Sequence, residues 1–418
     1  MILGSIVFVI ITSIIAFLLI VLVLVATLLF ARAKLTAVGL VKISINSEKE
    51  VTVHPGNSLL STLSETGIFL PSACGGGGTC GQCRCQVIAG GGSILATETS
   101  HFTRKEQHEH WRLGCQVKIR ENLEIKVPEH VLGVKKWECE VVSNNNVATY
   151  IKEFVVKLPE GENLNFKSGG YIQIDVPKID VDFKEMIIGD EYRPEWERFG
   201  MFDLKMKNPE PTFRAYSMAN HPAEGNIVML NIRIATPPFD RLKGGFQKVN
   251  PGICSSYVFS RRPGDKVMIS GPYGEFFLKD NDNEMMFIGG GAGMAPMRSH
   301  LFHLFHTVKE TKRKITFWYG ARSWREVFYY DEFMNIQENF PNFSFYLALS
   351  DPQPEDNWSG HKGFIHQVIY DEYLSKHDEP EEIDYYLCGP PMMNNAVNKM
   401  LYDLGVPGEN ILFDDFGG

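Results

Sequence analysis

The chain has 418 residues, 44% hydrophobic and 22% charged, with a formal net charge of −9. That length accommodates roughly two to four domains, and the composition is that of a folded protein. The acidic balance excludes nucleic acid as a partner, because the basic footprint is missing.

The first 31 residues carry no charge, and 2–30 are almost wholly Ile, Val, Leu and Phe. A bilayer span needs roughly 20 apolar residues, so residues 1–35 are expected to form a retained transmembrane anchor. A cleaved signal peptide would show a basic start and a small-residue cleavage site, and neither is present. Arg32 and Lys34 follow the apolar run. Positive charge stays inside, so a single pass with everything C-terminal in the cytoplasm is expected. One helix without ionisable residues offers no ion path.

Residues 36–130 read as a small β-grasp module. Apolar strands over 41–45 and 51–53 meet at Asn46-Ser47 as a hairpin. Asn57 or Ser58 can cap a short helix ending at Gly67. Thr103-Arg104-Lys105-Glu106 fits a capping box, and the helix it opens should lead toward Cys115. Val117, Ile119, Leu123, Ile125 and Val127 should close the sheet. In the middle lies Cys74-Gly75-Gly76-Gly77-Gly78-Thr79-Cys80-Gly81-Gln82-Cys83. Three thiols on a glycine-rich loop, with Cys115 arriving from elsewhere, are how a plant-type 2Fe–2S cluster is held. Glycines let the backbone approach the cluster and turn with positive φ. The first spacing is C-x5-C, one residue longer than in plant-type ferredoxins. The competing reading is a zinc site using the CxxC pair Cys80 and Cys83, which has no need of four consecutive glycines. Cys85 is read as a small buried hydrophobe. Scattered cysteines elsewhere suit a reducing compartment.

Residues 131–280 change to short strands punctuated by Gly, Pro and Asn, as in an antiparallel barrel. An irregular, mixed-charge insertion over 178–211 is too long for a barrel turn. Arg214-Ala215-Tyr216-Ser217-Met218 lies on a strand, with Arg214 and Tyr216 on one face and Ser217 on the other. Such a face can stack a planar ligand and bind its phosphate, or be ordinary core and surface. Gly252 followed by Ser255 and Ser256 at a helix start makes an anion site or a plain helix cap.

Residues 281–418 alternate strand and helix, an α/β pattern. A buried strand runs into Gly289-Gly290-Gly291-Ala292-Gly293 and then a helix, the context of a dinucleotide site. Gly289, Gly320 and Cys388 fall at the carboxyl ends of strands, where ligands bind. Cys388 is placed to touch a nicotinamide or to be a buried small residue, and Phe416 to cover a flavin face. Linkers near Gly133 and Asn281 leave room for movement between modules.

These segments resemble the ferredoxin:NADP reductase-like flavoproteins. The resemblance is carried by the cysteine loop, the RxYS segment 214–217, the glycine turn from Gly289 and the CGPPMM segment 388–393. The order anchor, ferredoxin, flavin barrel, nucleotide domain is similar to the NADH-oxidising subunits of bacterial sodium-translocating NADH:quinone oxidoreductases. The heptad RAYSMAN and the tract Asp190-Glu191-Tyr192-Arg193-Pro194-Glu195-Trp196 resemble them most specifically.

The resemblance implies FAD, a 2Fe–2S cluster and NADH as cofactors. It makes Cys74, Cys80, Cys83 and Cys115 cluster ligands, and it implies that Arg214, Tyr216 and Ser217 hold FAD. Gly252, Ser255 and Ser256 would meet the FAD pyrophosphate, and Gly290, Ala292 and Gly293 the NADH phosphates. Cys388 and Gly389 would line the nicotinamide pocket, with Tyr216, Ser217 and Cys388 closest to the chemistry and Phe416 shielding the flavin. Arg322 and Ser323 follow the second strand, where a 2′-phosphate is read. The implied activity is hydride transfer from NADH to FAD, with single electrons leaving through the cluster. They would pass to partner membrane subunits toward ubiquinone, the sodium transport residing in those subunits at the bacterial inner membrane. Two other functions compete. A multicomponent-oxygenase reductase shares the three modules but usually lacks an anchor. A tethered ferredoxin with a degenerate reductase half would not keep intact RxYS, glycine-turn and CGPP segments.

Overall fold

The computed structural model describes residues 2–35, 39–240 and 242–414. Two compact units emerge: Met1–Pro71 with Gly76–Gly133, and Ser72–Gly75 with Val134–Gly418.

The first unit opens with the helix Ile2–Leu35. Its stretch Ile10–Leu28 is long and apolar enough to cross a membrane and is exposed throughout. Then comes a five-stranded mixed sheet in the order Lys49–Val53, Val41–Ile45, Leu123–Lys126, Arg84–Ala89, Trp111–Leu113. Val41–Ile45 pairs antiparallel with Lys49–Val53 and parallel with Leu123–Lys126, the β-grasp arrangement. Asn46 and Ser47 take φ of 53° and 60° in the three-residue turn between the paired Ile45 and Lys49. Ser58 caps the helix Leu59–Glu65, and Thr103 and Glu106 form the expected capping box. That second helix stops at His108, and the chain reaches Cys115 through the strand Trp111–Leu113. Only Leu123–Lys126 of the expected closing strands forms. Val117 and Ile119 are buried but pair with the entry to the helix Leu59–Glu65, their carbonyls accepting from Leu59 and Gly56.

The second unit contains a six-stranded antiparallel sheet. Its order is Thr212–Ser217, Tyr171–Val176, Lys266–Tyr273, Lys135–Ala148, Ile151–Lys157, Ile227–Arg233. A bridge between Met218 and Leu230 and the Ala219 N–H to Met229 C=O bond, 2.7 Å, close it into a barrel. Phe154, Ile172, Ile174, Leu230, Ile232 and Ile269 fill the interior. The 178–211 insertion is not irregular. Ile179–Asp182 pairs with Lys205–Asn208, and the helix Arg193–Arg198 buries Trp196 completely. Apolar residues scattered among charges (Phe183, Met186, Trp196, Met201, Met206) give it a core without visible periodicity.

The α/β part is an all-parallel six-stranded sheet. Its order is His361–Lys362, Phe343–Leu349, Ile315–Ala321, Met285–Gly290, Asp384–Cys388, Ile411–Phe413. Its middle strands are buried on both faces, which is why they read as continuous apolar runs. The Asn281 side chain accepts from Arg313 at 2.9 Å, and the barrel and this sheet belong to one compact unit.

Candidate functional site

In the first unit, Cys80 is half-buried, and Cys83 and Cys115 are buried. A hydrogen bond with the Cys115 thiol, together with burial, pushes the Cys83 thiol strongly up, with Cys80 adding to the effect. Such crowding of thiols is unfavourable unless something binds them as thiolates. Gly78 and Gly81 turn with φ of +79° and +70°, conformations that favour glycine. A Cβ at Gly81 would sit 2.7 Å from the His101 ring. Gly114 donates its N–H to the Cys83 carbonyl at 2.7 Å, tying the two cysteine-bearing segments together. Cys85 is fully buried on the strand Arg84–Ala89. Cys74 falls in the short segment Ser72–Gly75 that groups with the second unit; it is half-buried, with the Ser72 hydroxyl 3.9 Å from its sulfur. Among the described residues no three His, Cys, Asp or Glu side chains form a single-ion site. Thiolates are the donors a 2Fe–2S cluster takes.

In the second unit, Thr212–Ser217 pairs with a single neighbour along its length, Tyr171–Val176, and its residues 212–216 are half-buried. Gly75, in the same unit, lies against this strand, where an added Cβ would collide with Arg214 Nη1 and the Phe213 carbonyl. Arg214 Nη1 donates to the Phe213 carbonyl at 2.7 Å. Burial, together with the Cys254 thiol beside it, raises the Tyr216 hydroxyl well above its ordinary pKa, so it stays protonated. Cys254 lies on the helix Ile253–Ser260, which begins after Gly252. The strand and the helix start named from the sequence are thus neighbours.

The two serines differ. The Ser255 hydroxyl accepts from the Ala235 N–H at 3.1 Å and donates to the Gly252 carbonyl at 3.2 Å. It is engaged in holding the turn. The Ser256 hydroxyl is buried with no hydrogen-bond partner. An orphan donor at a helix start fits a phosphate oxygen.

The glycine turn and the CGPP segment come together through the sheet register, in which Gly289 pairs with Cys388 and Gly290 with Gly320. A Cβ at Gly293 would collide with the Cys388 carbonyl oxygen, and one at Gly290 would sit 2.8 Å from the Met393 sulfur. Gly293 is required by close approach of backbone to backbone, whereas Gly290 is crowded by the end of a flexible side chain. The helix Met294–Phe302 starts at the turn, so its positive end faces the crevice. Ala292 is half-buried, Gly389 lies beside Met393, and the Cys388 side chain is fully buried in the apolar core.

Sequence reasoning misses Asp414. Its carboxylate accepts the Ser217 hydroxyl at 2.6 Å, and its N–H donates to the Leu387 carbonyl at 3.0 Å. The strand Ile411–Phe413 delivers it beside the Asp384–Cys388 strand. The only signal is an acidic pair between two aromatics. Phe416 lies outside the described residues.

The model for a 2Fe-2S iron-sulfur cluster binding domain matches residues 43–120, and that for an oxidoreductase NAD-binding domain matches 287–399. The chain is 57% identical over 409 residues to the F subunit of the Na(+)-translocating NADH-quinone reductase of Marinomonas sp. (strain MWYL1), covering 98% of this chain and 99% of that one. It is 54% identical over 409 residues to the corresponding F subunit of Neisseria meningitidis serogroup C / serotype 2a (strain ATCC 700532 / DSM 15464 / FAM18), covering 98% and 100%. Among solved structures, the Amycolatopsis cytochrome P450 reductase GcoB aligns with a TM-score of 0.60 at 22% identity, over 90% of this chain and 98% of that one. The ferredoxin reductase in carbazole 1,9a-dioxygenase aligns with a TM-score of 0.58 at 23% identity, over 91% and 99%. Those two likenesses show the fold.

Proposed function

The chain belongs to the family of F subunits of Na(+)-translocating NADH-quinone reductases, and we propose that it is the electron-input subunit of such a complex. The observation that carries this reading is the full-length identity of 54–57% to those subunits, anchor included. The oxygenase-type reductases share the fold at only 22–23% identity, and function does not follow from fold.

In this reading residues 1–35 anchor the chain in a bacterial inner membrane by a single pass, with the rest in the cytoplasm. Residues 36–130 hold the cluster through Cys74, Cys80, Cys83 and Cys115. Residues 131–280 hold FAD and residues 281–418 NADH. When bound, FAD takes up a hydride as an electron pair and the cluster carries electrons one at a time. The chain's own residues bind, orient and exclude water. Tyr216 lies on the Thr212–Ser217 strand beside Cys254 and is read as packing on the flavin ring, with Arg214 supplying positive charge on the same strand. Ser256 donates to a phosphate oxygen, and Gly252 lets the chain enter that helix. Gly290, Ala292 and Gly293 bring backbone N–H groups and a helix start to the NADH phosphates. Cys388 and Gly389 close the floor of the nicotinamide pocket, and Ser217, held by Asp414, presents a fixed hydroxyl beside it. Phe416 is proposed to shield the flavin. No general acid or base is needed for hydride transfer itself. Sodium transport and quinone reduction belong to the partner subunits, since one membrane-crossing stretch without ionisable residues provides no ion path.

NADH oxidation by the purified chain with an artificial electron acceptor tests this. Steady turnover is expected, and none at all would leave only a tethered ferredoxin.

A further inference from the structure

The nucleotide half carries a guanidinium where a 2′-phosphate would be read. Arg322 directly follows the strand Ile315–Ala321, the parallel neighbour of the glycine-turn strand Met285–Gly290. In dinucleotide folds an acidic residue at this place binds the 2′-hydroxyl of NAD, and an arginine accommodates the 2′-phosphate of NADP. Taken alone, Arg322 favours the phosphorylated cofactor.

It is not alone. Arg322 Nη2 lies 3.7 Å from Oε1 of Glu195, whose side chain is 11% exposed against 52% for Arg322. Glu195 sits on the helix Arg193–Arg198 of the insertion, with its other oxygen 3.6 Å from Arg198. The pair is held from both sides by one residue of the barrel, Thr149. The Trp196 indole N–H donates to the Thr149 carbonyl at 2.7 Å, which fixes the helix bearing Glu195. The Thr149 N–H donates to the Glu326 carboxylate at 3.2 Å, and its hydroxyl donates to the same group. Glu326 ends the turn Trp324–Glu326, next to Arg322 and Ser323. The Arg322 carbonyl is itself pinned by the Asp351 N–H at 2.7 Å.

We propose that Glu195 sets the selection of NADH against NADPH, holding Arg322 and placing a fixed carboxylate where a 2′-phosphate would arrive. A phosphate bears nearly two negative charges, and like charges juxtaposed are disfavoured. The neutral 2′-hydroxyl of NADH meets no such repulsion and can donate to a carboxylate. The insertion thereby acquires a role, as a specificity element supplied to the nucleotide sheet by the barrel. The inference rests on the reading of the Gly289–Gly293 crevice as the NADH site.

Calorimetric titration of the full chain with 5′-ADP and 2′,5′-ADP tests it, alongside kcat/KM for NADH and NADPH. Wild type should bind 5′-ADP more tightly than 2′,5′-ADP. Glu195→Gln keeps the shape and removes the charge. It should tighten 2′,5′-ADP relative to 5′-ADP by about tenfold and raise NADPH use relative to NADH. Adding Arg322→Ala to that variant should cancel the gain. Arg322→Ala alone, which leaves the insertion core untouched, should barely change 2′,5′-ADP binding. An affinity ratio in Glu195→Gln within about twofold of wild type would overturn the proposal, being too small for a lost charge contact. So would a large loss of 2′,5′-ADP binding in Arg322→Ala alone. Failure of wild type to bind 5′-ADP would overturn the nucleotide-site reading itself, and this inference with it.

Discussion

The Ser217 hydroxyl donates a 2.6 Å hydrogen bond to the Asp414 carboxylate, joining residues 197 apart in sequence. The contact ties the end of the expected flavin strand to the last described residue of the chain. It fixes the direction of a hydroxyl that sequence reasoning places near the reacting centre. Asp414→Asn and Ser217→Ala should each slow NADH-driven reduction of the bound flavin by about 10- to 100-fold, because small misplacements at a reacting centre have large kinetic effects. Stopped-flow absorbance reads this directly. Unchanged rates in both variants would make the contact merely structural.

The serine pair gives a sharper test of the anion site. Ser256→Ala removes an orphan hydroxyl, so folding stability should hold or rise slightly, while FAD retention should weaken by about 1–3 kcal/mol. Ser255→Ala removes a hydroxyl bonded to Ala235 and Gly252, so its cost should show as a lower unfolding midpoint. Flavin content after gel filtration, with thermal unfolding, separates the two.

Cys83→Ser should abolish the iron–sulfur absorbance and the bound iron and sulfide, while NADH oxidation with a two-electron acceptor persists. Cys85→Ala, at a fully buried strand position, should keep the cluster. Loss of iron in Cys85→Ala alone would reassign the ligand set.

His300 is fully buried, with Nδ1 3.2 Å from the Ser168 hydroxyl and the Phe276, Phe287 and Tyr386 rings around it. Burial pushes its imidazole down to about 3, against about 6.5 when unfolded. The unfolded chain therefore takes up a proton that the folded one refuses. This contribution is complete above about pH 6.5 and is lost as pH falls toward 3, by about 1.4 kcal/mol per unit. His300→Gln should flatten the fall in unfolding midpoint between about pH 7 and pH 5; a wild-type slope in that variant would assign the dependence elsewhere.

Much of this architecture is legible in the sequence because local signals agree with tertiary demands. Asn46-Ser47, Ser58 and the Thr103 capping box each do what their side chains do in isolation, and the glycine turn sits between a strand and a helix. What is not legible depends on contacts distant in sequence. Asp414 matters only because a terminal strand joins the sheet next to Asp384–Cys388. The insertion reads as irregular because Trp196 and its apolar neighbours follow no period, and Val117 and Ile119 lose their strands to pairing with the loop near Gly56. The unequal roles of Ser255 and Ser256 follow from the Ala235 backbone, which no motif encodes.

The central claim is that this chain feeds electrons from NADH into a sodium-dependent quinone reductase. The most direct test is NADH-driven quinone reduction in membranes from the source cell, with and without the chain, across sodium concentrations. The account predicts activity that requires the chain and rises with sodium. Quinone reduction indifferent to both, while the isolated chain still oxidises NADH, would contradict the assembly and return the oxygenase-type reductase as the leading reading.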